Sequence, residues 1–465
     1  MRLFNTLGQT KQDFKPLNNQ SVGLYTCGPT VYDYPHIGNW STYLKWDLLY
    51  RVLRDNGYLV NWIVNITDVG HLVSDEDTGE DKLEKGAKRE GKSAWEIAEF
   101  YTKDFIDGLA KLNISVDKNN LPRATEFISE QIDLIKSLEE KGFTYQTPDG
   151  IYFDSSRFEN YGQLSKMNVS GLKAGARVDI KFKKNPTDFA LWKFSPKDKK
   201  RDMQWDSPWG IGFPGWHLEC SAIAMKRLGE IVDIHCGGVD HISVHHENEI
   251  AQSEAATGKK FANFWLHSNH ILVNGQKIAK SAGNSILLKD IFEKNYTADD
   301  FRVFVFQSHY RTQSNFTWEL LSSAKKRYSK LRALSDLRFQ KLEDGLSNSQ
   351  LKLNEYQEKI RSYLRDDLNS PQALAVLSEL CDRTLGVGFA NTQEIQNFIN
   401  WIDTVFGFQL SEYQDISSEQ KALLAERLSA RENKDFAKSD EIRNRLSAQG
   451  IGINDSAKNQ IWYRI

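Results

Sequence analysis

Val22-Gly23-Leu24-Tyr25-Thr26-Cys27-Gly28-Pro29-Thr30 is the stretch on which the fold turns. Val22 to Cys27 predicts a buried strand, and Gly28-Pro29-Thr30 stops it. Beyond Pro35, Tyr43, Leu44, Trp46, Leu48, Tyr50 and Leu53 recur at spacings that predict a partly buried helix from about Gly38 to Asn56, with Gly57 as its stop. Val60 to Ile66 predicts a second strand. Strand, helix and strand over this length make a βαβ unit and imply a parallel sheet.

Outward from this unit, about Glu80 to Asn113 reads as helical with a mixed-charge face, and another helix is expected from about Glu126 to Lys141. Residues 143–200 are rich in Gly, Pro and Lys between short β-like pieces, as in an insertion that divides a nucleotide-binding domain. The α/β pattern returns from about Pro214 to Val305; Glu319 to Phe408 reads as helical throughout, and 411–465 as a final helical unit. The expected division is 1–125 and 206–318 as two halves of a Rossmann-like catalytic domain, 126–205 as a connective insertion, 319–410 as a helical bundle and 411–465 as a small terminal domain.

The totals set bounds. At 465 residues the chain exceeds one ordinary domain, and 40% hydrophobic with 26% charged residues can build a sizeable core. No run of about 18 apolar residues is present, so no membrane span is expected. Met1-Arg2-Leu3-Phe4-Asn5 lacks the apolar core of a secretory signal. Four scattered cysteines, Cys27, Cys220, Cys236 and Cys381, do not make a disulfide framework, and a reducing cytoplasm is the expected setting. The formal charge of −2 carries no global footprint of a nucleic-acid partner, so any such surface is local.

His36-Ile37-Gly38-Asn39 lies where the first strand hands over to the first helix. Backbone N–H groups at a helix start favour anions, the histidine can donate to a phosphate oxygen, and Gly38 lets a flat ring approach the backbone. A histidine that only caps the helix reads the same way. Far downstream, Gln276-Lys277-Ile278-Ala279-Lys280-Ser281-Ala282-Gly283-Asn284 describes a flexible cationic loop able to close over a triphosphate, or a solvated surface turn. In this order and separation the two motifs resemble the HIGH and KMSKS motifs of class I aminoacyl-tRNA synthetases. Asn39 stands in place of the second histidine, and Ile278 and Ala279 in place of Met and Ser; both lysines are kept.

His245-His246-Glu247-Asn248-Glu249 begins an expected helix, and its i, i+4 pair His245 and Glu249 shares one face. With Cys27 and Cys220 they make a donor set suited to zinc. Taken alone, the cysteines read equally as small buried residues, since no CxxC spacing forces a metal.

Over essentially its whole length the chain resembles the cysteinyl-tRNA synthetases. The resemblance is carried by Tyr25 to Asp33, Asn65-Ile66-Thr67-Asp68, Asp188 to Lys193, Ser207-Pro208-Trp209-Gly210, Gly215 to Ser221, Asp233-Ile234-His235 and His245 to Gln252. It implies one Zn²⁺ held by Cys27, Cys220, His245 and Glu249. It also implies amino-acid contacts around Cys27, Gly28, Thr30, Thr67, Trp216 and His217. Mg-ATP would lie against His36, Gly38, Asn39, Gly238, Asp240 and Lys280, with His36, Lys277 and Lys280 as the catalytic groups. The implied partners are ATP, L-cysteine and tRNA(Cys), for a monomeric enzyme. Cys236 and His241 depart from the family pattern near the expected metal, where either could compete or support. Trp216 reads either as a wall over the substrate or as core packing.

In the C-terminal third, Asn369 or Ser370 is expected to cap a bundle helix with Pro371 at its first position. Ala425 to Arg443 resembles the family's anticodon-binding module, although basic and acidic residues balance there. Trp462 and Tyr463 read either as platforms for an unpaired base or as pins for the chain terminus. Two other activities remain open at this point. One is a cysteine ligase acting on a small amino sugar, of the mycothiol-pathway type; the other is a non-catalytic synthetase paralogue.

Overall fold

The computed structural model describes residues 1–70, 81–167, 182–196, 201–279, 282–347, 350–455 and 460–465. Its centre is a four-stranded parallel sheet built from β1 (Ser21–Thr26), β2 (Leu59–Val64), β3 (Val232–Gly238) and β4 (Ala262–Ser268), in the order β4-β3-β1-β2. Helix α1 (Ile37–Asp55) connects β1 to β2; α2 (Trp216–Leu228) precedes β3 and α3 (His245–Thr257) connects β3 to β4. The chain therefore leaves β1 in one direction and β3 in the other. Their adjacent carboxyl ends form the switch point at which open parallel sheets bind ligands.

Local sequence explains these elements. Leu24, Tyr25 and Thr26 are all buried, as in a parallel strand covered on both faces. In α1, Ile37, Trp40, Leu44 and Leu48 supply an apolar face, and Trp40 stacks on Phe105 of a second helix, Ala94–Lys111. Trp62 of β2 donates its Nε1–H to Thr26 Oγ1 of β1 at 3.0 Å, which satisfies two buried polar groups at once.

Between the two halves of the parallel sheet lies an antiparallel one, Thr144–Thr147, Gly150–Phe153, Phe189–Phe194 and Gly212–Pro214. Ile151, Phe153, Phe189 and Leu191 of this sheet share a core with Leu134, Ile135 and Leu138 of helix Ile128–Glu140 and with Leu218 and Ala251 of α2 and α3. The insertion thus braces the two helices that carry Cys220 and His245.

Helices Trp318–Asp336, Leu353–Arg365, Ser370–Thr384 and Thr392–Phe406 follow. Asn369 caps the third by accepting from Gln372 N, with Pro371 in its first turn. The structure corrects the all-helical reading of this region at Lys341–Leu346, which is a strand. Leu346 N donates to Gly388 O at 3.0 Å and Ala390 N donates to Leu346 O at 3.1 Å, a long-range pairing that helical periodicity does not report. The terminal unit is also not wholly helical. After helices Ser418–Glu432 and Phe436–Ala448 it ends in a hairpin, Ile451–Asp455 against Gln460–Arg464. Alternation of Ile451 and Ile453, and of Ile461 and Tyr463, was the available signal.

Trp462 is 5% exposed, stacks on Phe339 at 6.4 Å and has its backbone N–H bound to Gln340 Oε1 at 2.9 Å. It pins the terminus to the bundle, and its buried ring is not presented as a platform for a base. Among the described residues no helix is long and apolar enough to cross a membrane.

Candidate active site

A cavity of about 490 Å³ opens at the carboxyl ends of β1 and β3. Cys27, Gly28 and Thr30 enter it after β1, Asn65 and Thr67 after β2, Gly237 and Gly238 at the end of β3 with Asp240 beyond it, and Ser268 at the end of β4 with His270 beyond it. Tight packing holds the first two groups together. A Cβ on Gly28 would lie 1.4 Å from Asn65 O, so only glycine permits this approach. Gly28 N donates to Asn65 Oδ1 at 2.8 Å, Asn65 Nδ2 to Thr67 Oγ1 at 3.0 Å, and Thr67 Oγ1 to Glu219 Oε2 at 3.0 Å. Asn65 emerges as the organiser of this floor, a role not assigned from the sequence.

Asp68, next along, is buried and accepts from Thr125 N at 2.9 Å and Thr125 Oγ1 at 2.7 Å. Burial raises its carboxyl to about 6 from an ordinary 3.8, against those hydrogen bonds. Between these two values the folded chain binds more protons than the unfolded chain, so stability falls as pH rises through the window. The loss from this group is about 3 kcal/mol, at about 1.4 kcal/mol per unit. Asp68→Asn is expected to flatten the fall in urea midpoint between about pH 4 and pH 7. An unchanged fall would rule Asp68 out as its source.

His36 is the N-cap of α1. Its Nδ1 accepts from Gly38 N at 3.1 Å and Asn39 N at 3.3 Å, while Asn39 Oδ1 accepts from His36 N at 3.0 Å. Asn39 therefore acts as the second half of a capping box. Because Nδ1 is an acceptor, the ring proton sits on Nε2, the nitrogen suited to donate to an anion. The cationic loop meets this helix start. Ile37 N donates to Ile286 O at 2.9 Å, and a Cβ on Gly38 would stand 3.2 Å from the Ile278 side chain. Asn284 bridges the loop by donating to Lys277 O at 3.0 Å and accepting from Ala279 N at 2.9 Å. Gly38, Asn39, Lys277, Ile278 and Ala279 line the cavity with His36. Lys280 lies outside the described residues.

At the floor, Cys27 and Cys220 bring their sulfurs within 4.0 Å of each other. Cys27 Sγ is 3.9 Å from Glu249 Oε1, and His245 Nε2 is 2.9 Å from the same oxygen. All four residues are buried, and their donor atoms lie within 4.8 Å of one another. Sulfurs on a tetrahedral zinc at about 2.3 Å would stand about 3.8 Å apart, so the donor set fits such an ion in chemistry and in spacing. Cys27 and Glu249 also form a second candidate set with His235 and His246. His246 Nε2 is 3.2 Å from Cys27 Sγ, and His235 Nε2 is 2.7 Å from Glu249 Oε2.

Protonation is shared tightly here. Burial would raise Glu249, but the charges of His235 and His245 hold its carboxyl well below the usual range. Burial would lower His245, but the Glu249 and Cys220 charges lift it to about 10. Burial and the neighbouring Cys220 push the Cys27 thiol up.

His217 and Trp216 part company. Trp216 lines the cavity and stacks on His245 at 4.2 Å. His217 is 1% exposed and is absent from the cavity wall; its Nδ1 lies 3.0 Å from His245 Nδ1 and orients that ring. The two departures resolve by geometry. Successive strand residues face opposite ways, so His235 meets Glu249 while Cys236 packs among Leu24, Ile234 and Leu266 in the core. His241 lines the cavity, with its ring 5.1 Å from those of both His245 and His246. The sequence left His246 without a role; its Nδ1 meets His267 Nε2 at 2.8 Å, and His267 Nδ1 meets Thr6 Oγ1 at 2.8 Å. The HH pair at the start of α3 was the only signal for it.

Comparison with known proteins agrees with this architecture. Residues 13–326 match the family model for the tRNA synthetases class I (C) catalytic domain, and residues 414–462 match that for the cysteinyl-tRNA ligase anticodon binding domain. The chain is 42% identical to a cysteine–tRNA ligase of Treponema denticola, with 100% of each chain covered. It is 43% identical to cysteine–tRNA ligase 1 of Burkholderia lata, covering 99% of this chain and 96% of that one. Among solved structures, Mycobacterium tuberculosis methionyl-tRNA synthetase in complex with methionyl-adenylate shares the fold, at a TM-score of 0.61 and 14% identity over 84% of this chain and 93% of that one. Family models that match 13–326 and 414–462, with full-length cysteine–tRNA ligase relatives at about 42% identity and a switch-point cavity holding a helix-capping histidine, a lysine loop and a buried thiol–imidazole–carboxylate cluster, show that the chain belongs to the cysteine–tRNA ligase family of class I aminoacyl-tRNA synthetases.

Proposed function

We propose that the chain is a cytoplasmic enzyme that activates L-cysteine with Mg-ATP and transfers the cysteinyl group to the 3′ end of tRNA(Cys). The observation that carries this reading is the buried pair of sulfurs with His245 and Glu249, of which Cys27, Cys220 and His245 line the cavity and Glu249 lies behind them. A zinc ion bound there would supply a soft position that takes sulfur in preference to oxygen. The chain's own groups do the rest. Trp216 closes one wall over a small side chain, and Thr67, fixed by Asn65 and Glu219, presents an oxygen beside it. The substrate carboxylate attacks the α-phosphate, and the pyrophosphate charge is met by His36 Nε2–H, Lys277 and Lys280. Gly238 and Asp240 border the adenosine, with Gly38 and Asn39 at the helix start. Acceleration comes from positioning and electrostatics, with no covalent enzyme intermediate.

The division of labour follows the chain: residues 1–125 and 206–318 form the catalytic unit, 126–205 the connective insertion, 319–410 the bundle and 411–465 the anticodon reader. The match of 414–462 to an anticodon-binding family model supports tRNA as the acceptor over an amino sugar.

The test is cysteine-dependent ATP–pyrophosphate exchange followed by charging of tRNA(Cys). Both activities are expected. Exchange without charging would favour a small-molecule acceptor, and absence of both in metal-replete protein would overturn the reading. Shape alone separates near-isosteres by about a hundredfold. Serine-dependent exchange is therefore expected to fall below cysteine-dependent exchange by well over that factor. A ratio at or under about 100 would show that the sulfur-selecting floor plays no part.

A further inference from the structure

We propose that Asn269 is a positioning residue for cysteine activation: it staples together the starts of the two strands that carry the Lys277 loop, and Asp367 anchors that staple to the helical bundle. This rests on the reading of the chain as an enzyme that activates cysteine with ATP. It names what holds one of the groups proposed to meet the pyrophosphate charge.

Lys277 lines the cavity from a small three-stranded sheet. Its strand, Gln276–Lys277, pairs with Ile271–Val273, which pairs in turn with Ser314–Phe316. Asn274 N donates to Phe316 O at 3.0 Å and Gly275 N to Asn315 Oδ1 at 2.7 Å, so the turn before the lysine is tied to the third strand. Where the lysine stands is therefore set by where Ile271–Val273 and Ser314–Phe316 begin. Both beginnings meet at Asn269. Its backbone N–H donates to Tyr310 O at 2.8 Å, and its Nδ2 to Arg311 O at 3.1 Å. Its Oδ1 accepts from His270 N at 2.8 Å, and His270 lines the cavity. Its carbonyl accepts at 3.0 Å from Nζ of the buried Lys45 on α1, the helix that His36 caps. A short amide suits this place because it donates to one neighbouring carbonyl while it accepts from the next N–H; a carboxylate has no proton for Arg311 O.

The far side of the staple is held from the bundle. Buried Asp367 accepts from Tyr310 Oη at 2.7 Å, from Arg311 Nε at 2.9 Å and from Phe4 N at 2.8 Å, and its carbonyl accepts from His309 Nε2 at 2.8 Å. Asp367 and Leu368 hold left-handed backbone angles, φ 62° and 53°, just before the bundle helix Ser370–Thr384. Leucine rarely adopts that conformation, which persists where surrounding bonds over-determine it. The polar atoms of Asn269 and both side-chain oxygens of Asp367 are thus committed to the segments that frame the Lys277 strand. A displacement of about 1 Å at a group that meets charge in the transition state costs about a hundredfold in rate. Bonds that hold the backbone of such a lysine therefore serve catalysis although they touch no substrate.

The experiment measures cysteine-dependent pyrophosphate exchange for Asn269→Ala and Asp367→Asn, each in the otherwise unaltered enzyme and again with Lys277→Ala. Asn269→Ala removes the two side-chain bonds and leaves the backbone ones. Asp367→Asn turns a donor toward Arg311 and keeps an acceptor for Phe4 and Tyr310. Each is expected to lower kcat about tenfold, with KM for cysteine changed by less than about twofold. With Lys277 already replaced, each is expected to lower kcat by less than about twofold, because the group it positions is gone. Zinc content near about one equivalent per chain reports folding, and Asp367→Asn decides the matter if Asn269→Ala falls short of it. A merely structural role would lower kcat by the same factor in both backgrounds. That result, or no loss in either background, would overturn the proposal. Absence of exchange in the unaltered, metal-replete enzyme would instead remove the functional reading, and this proposal with it.

Discussion

Cys27→Ser is expected to lose about one equivalent of zinc per chain and to cut cysteine-dependent pyrophosphate exchange by roughly three orders of magnitude. The reason lies in the shared geometry of the floor. Cys27 and Glu249 belong to both candidate donor sets, whereas Cys220 and His245 belong to one and His235 and His246 to the other. Serine in place of Cys27 offers a hard, protonated oxygen to either set, and no rearrangement of the remaining side chains restores a second sulfur. About 4 kcal/mol of lost interaction in the activation step corresponds to about a thousandfold in rate. Cys220→Ser leaves the second set intact, so it should retain more metal than Cys27→Ser while losing sulfur selectivity. Metal analysis of the two purified variants, with exchange measured beside it, makes the comparison. Full zinc content and near-normal exchange in Cys27→Ser would sink the assignment of this floor as the metal centre.

The second large effect is on stability. Asp47→Ala is expected to lower unfolding free energy by about 3–5 kcal/mol, read from the urea midpoint. Asp47 and Arg302 are both fully buried, and their side chains meet at 2.6 Å. The same carboxylate accepts from Arg51 Nε at 2.8 Å and from Ser115 N at 2.9 Å. Arg302 in turn donates to Phe406 O at 3.0 Å and Asn113 O at 2.9 Å. One ion pair thus ties α1 to the turn at Asn113 that follows helix Ala94–Lys111, to helix Ala298–Phe306 and to the bundle helix Thr392–Phe406. Burial would raise the Asp47 carboxyl, yet Arg51 and Arg302 hold it below its ordinary value, so the effect should be full above that ordinary value near 3.8 and fade only under more acid conditions. Removing Asp47 strands a guanidinium in a dry interior. Replacing both partners, as Asp47→Leu/Arg302→Met, should recover much of the loss, because it removes the stranded charge as well. A loss under about 1 kcal/mol for Asp47→Ala would show that the pair is dispensable.

Local patterning carried much of this molecule. The β1–α1–β2 unit, the start of α3 and the Asn369–Pro371 cap follow from spacing and turn chemistry within short windows, because each depends on contacts between near neighbours. The His245–Glu249 pair was legible for the same reason: four residues on a helix is one turn. Where local rules failed, a distant strand had intervened. Lys341–Leu346 pairs beside Phe389, and the terminal hairpin seats Trp462 against Phe339; neither partner is visible in the window that precedes it.

The sequence by itself determined the parallel α/β core and, through family resemblance, singled out His36 and Lys277 as the residues proposed to meet phosphate and the four donors proposed for the metal. The tertiary structure alone decided that Cys27 and Cys220, 193 residues apart, meet at 4.0 Å. It also turned Cys236 into the core, set His217 behind His245 and gave Asn65 and His246 their places. Spacing along a chain fixes which side of one helix or strand a residue occupies. Only the pairing of β1 with β3 and the packing of α2 and α3 against them fixes which sides face each other, and chemistry at a site needs that second fact.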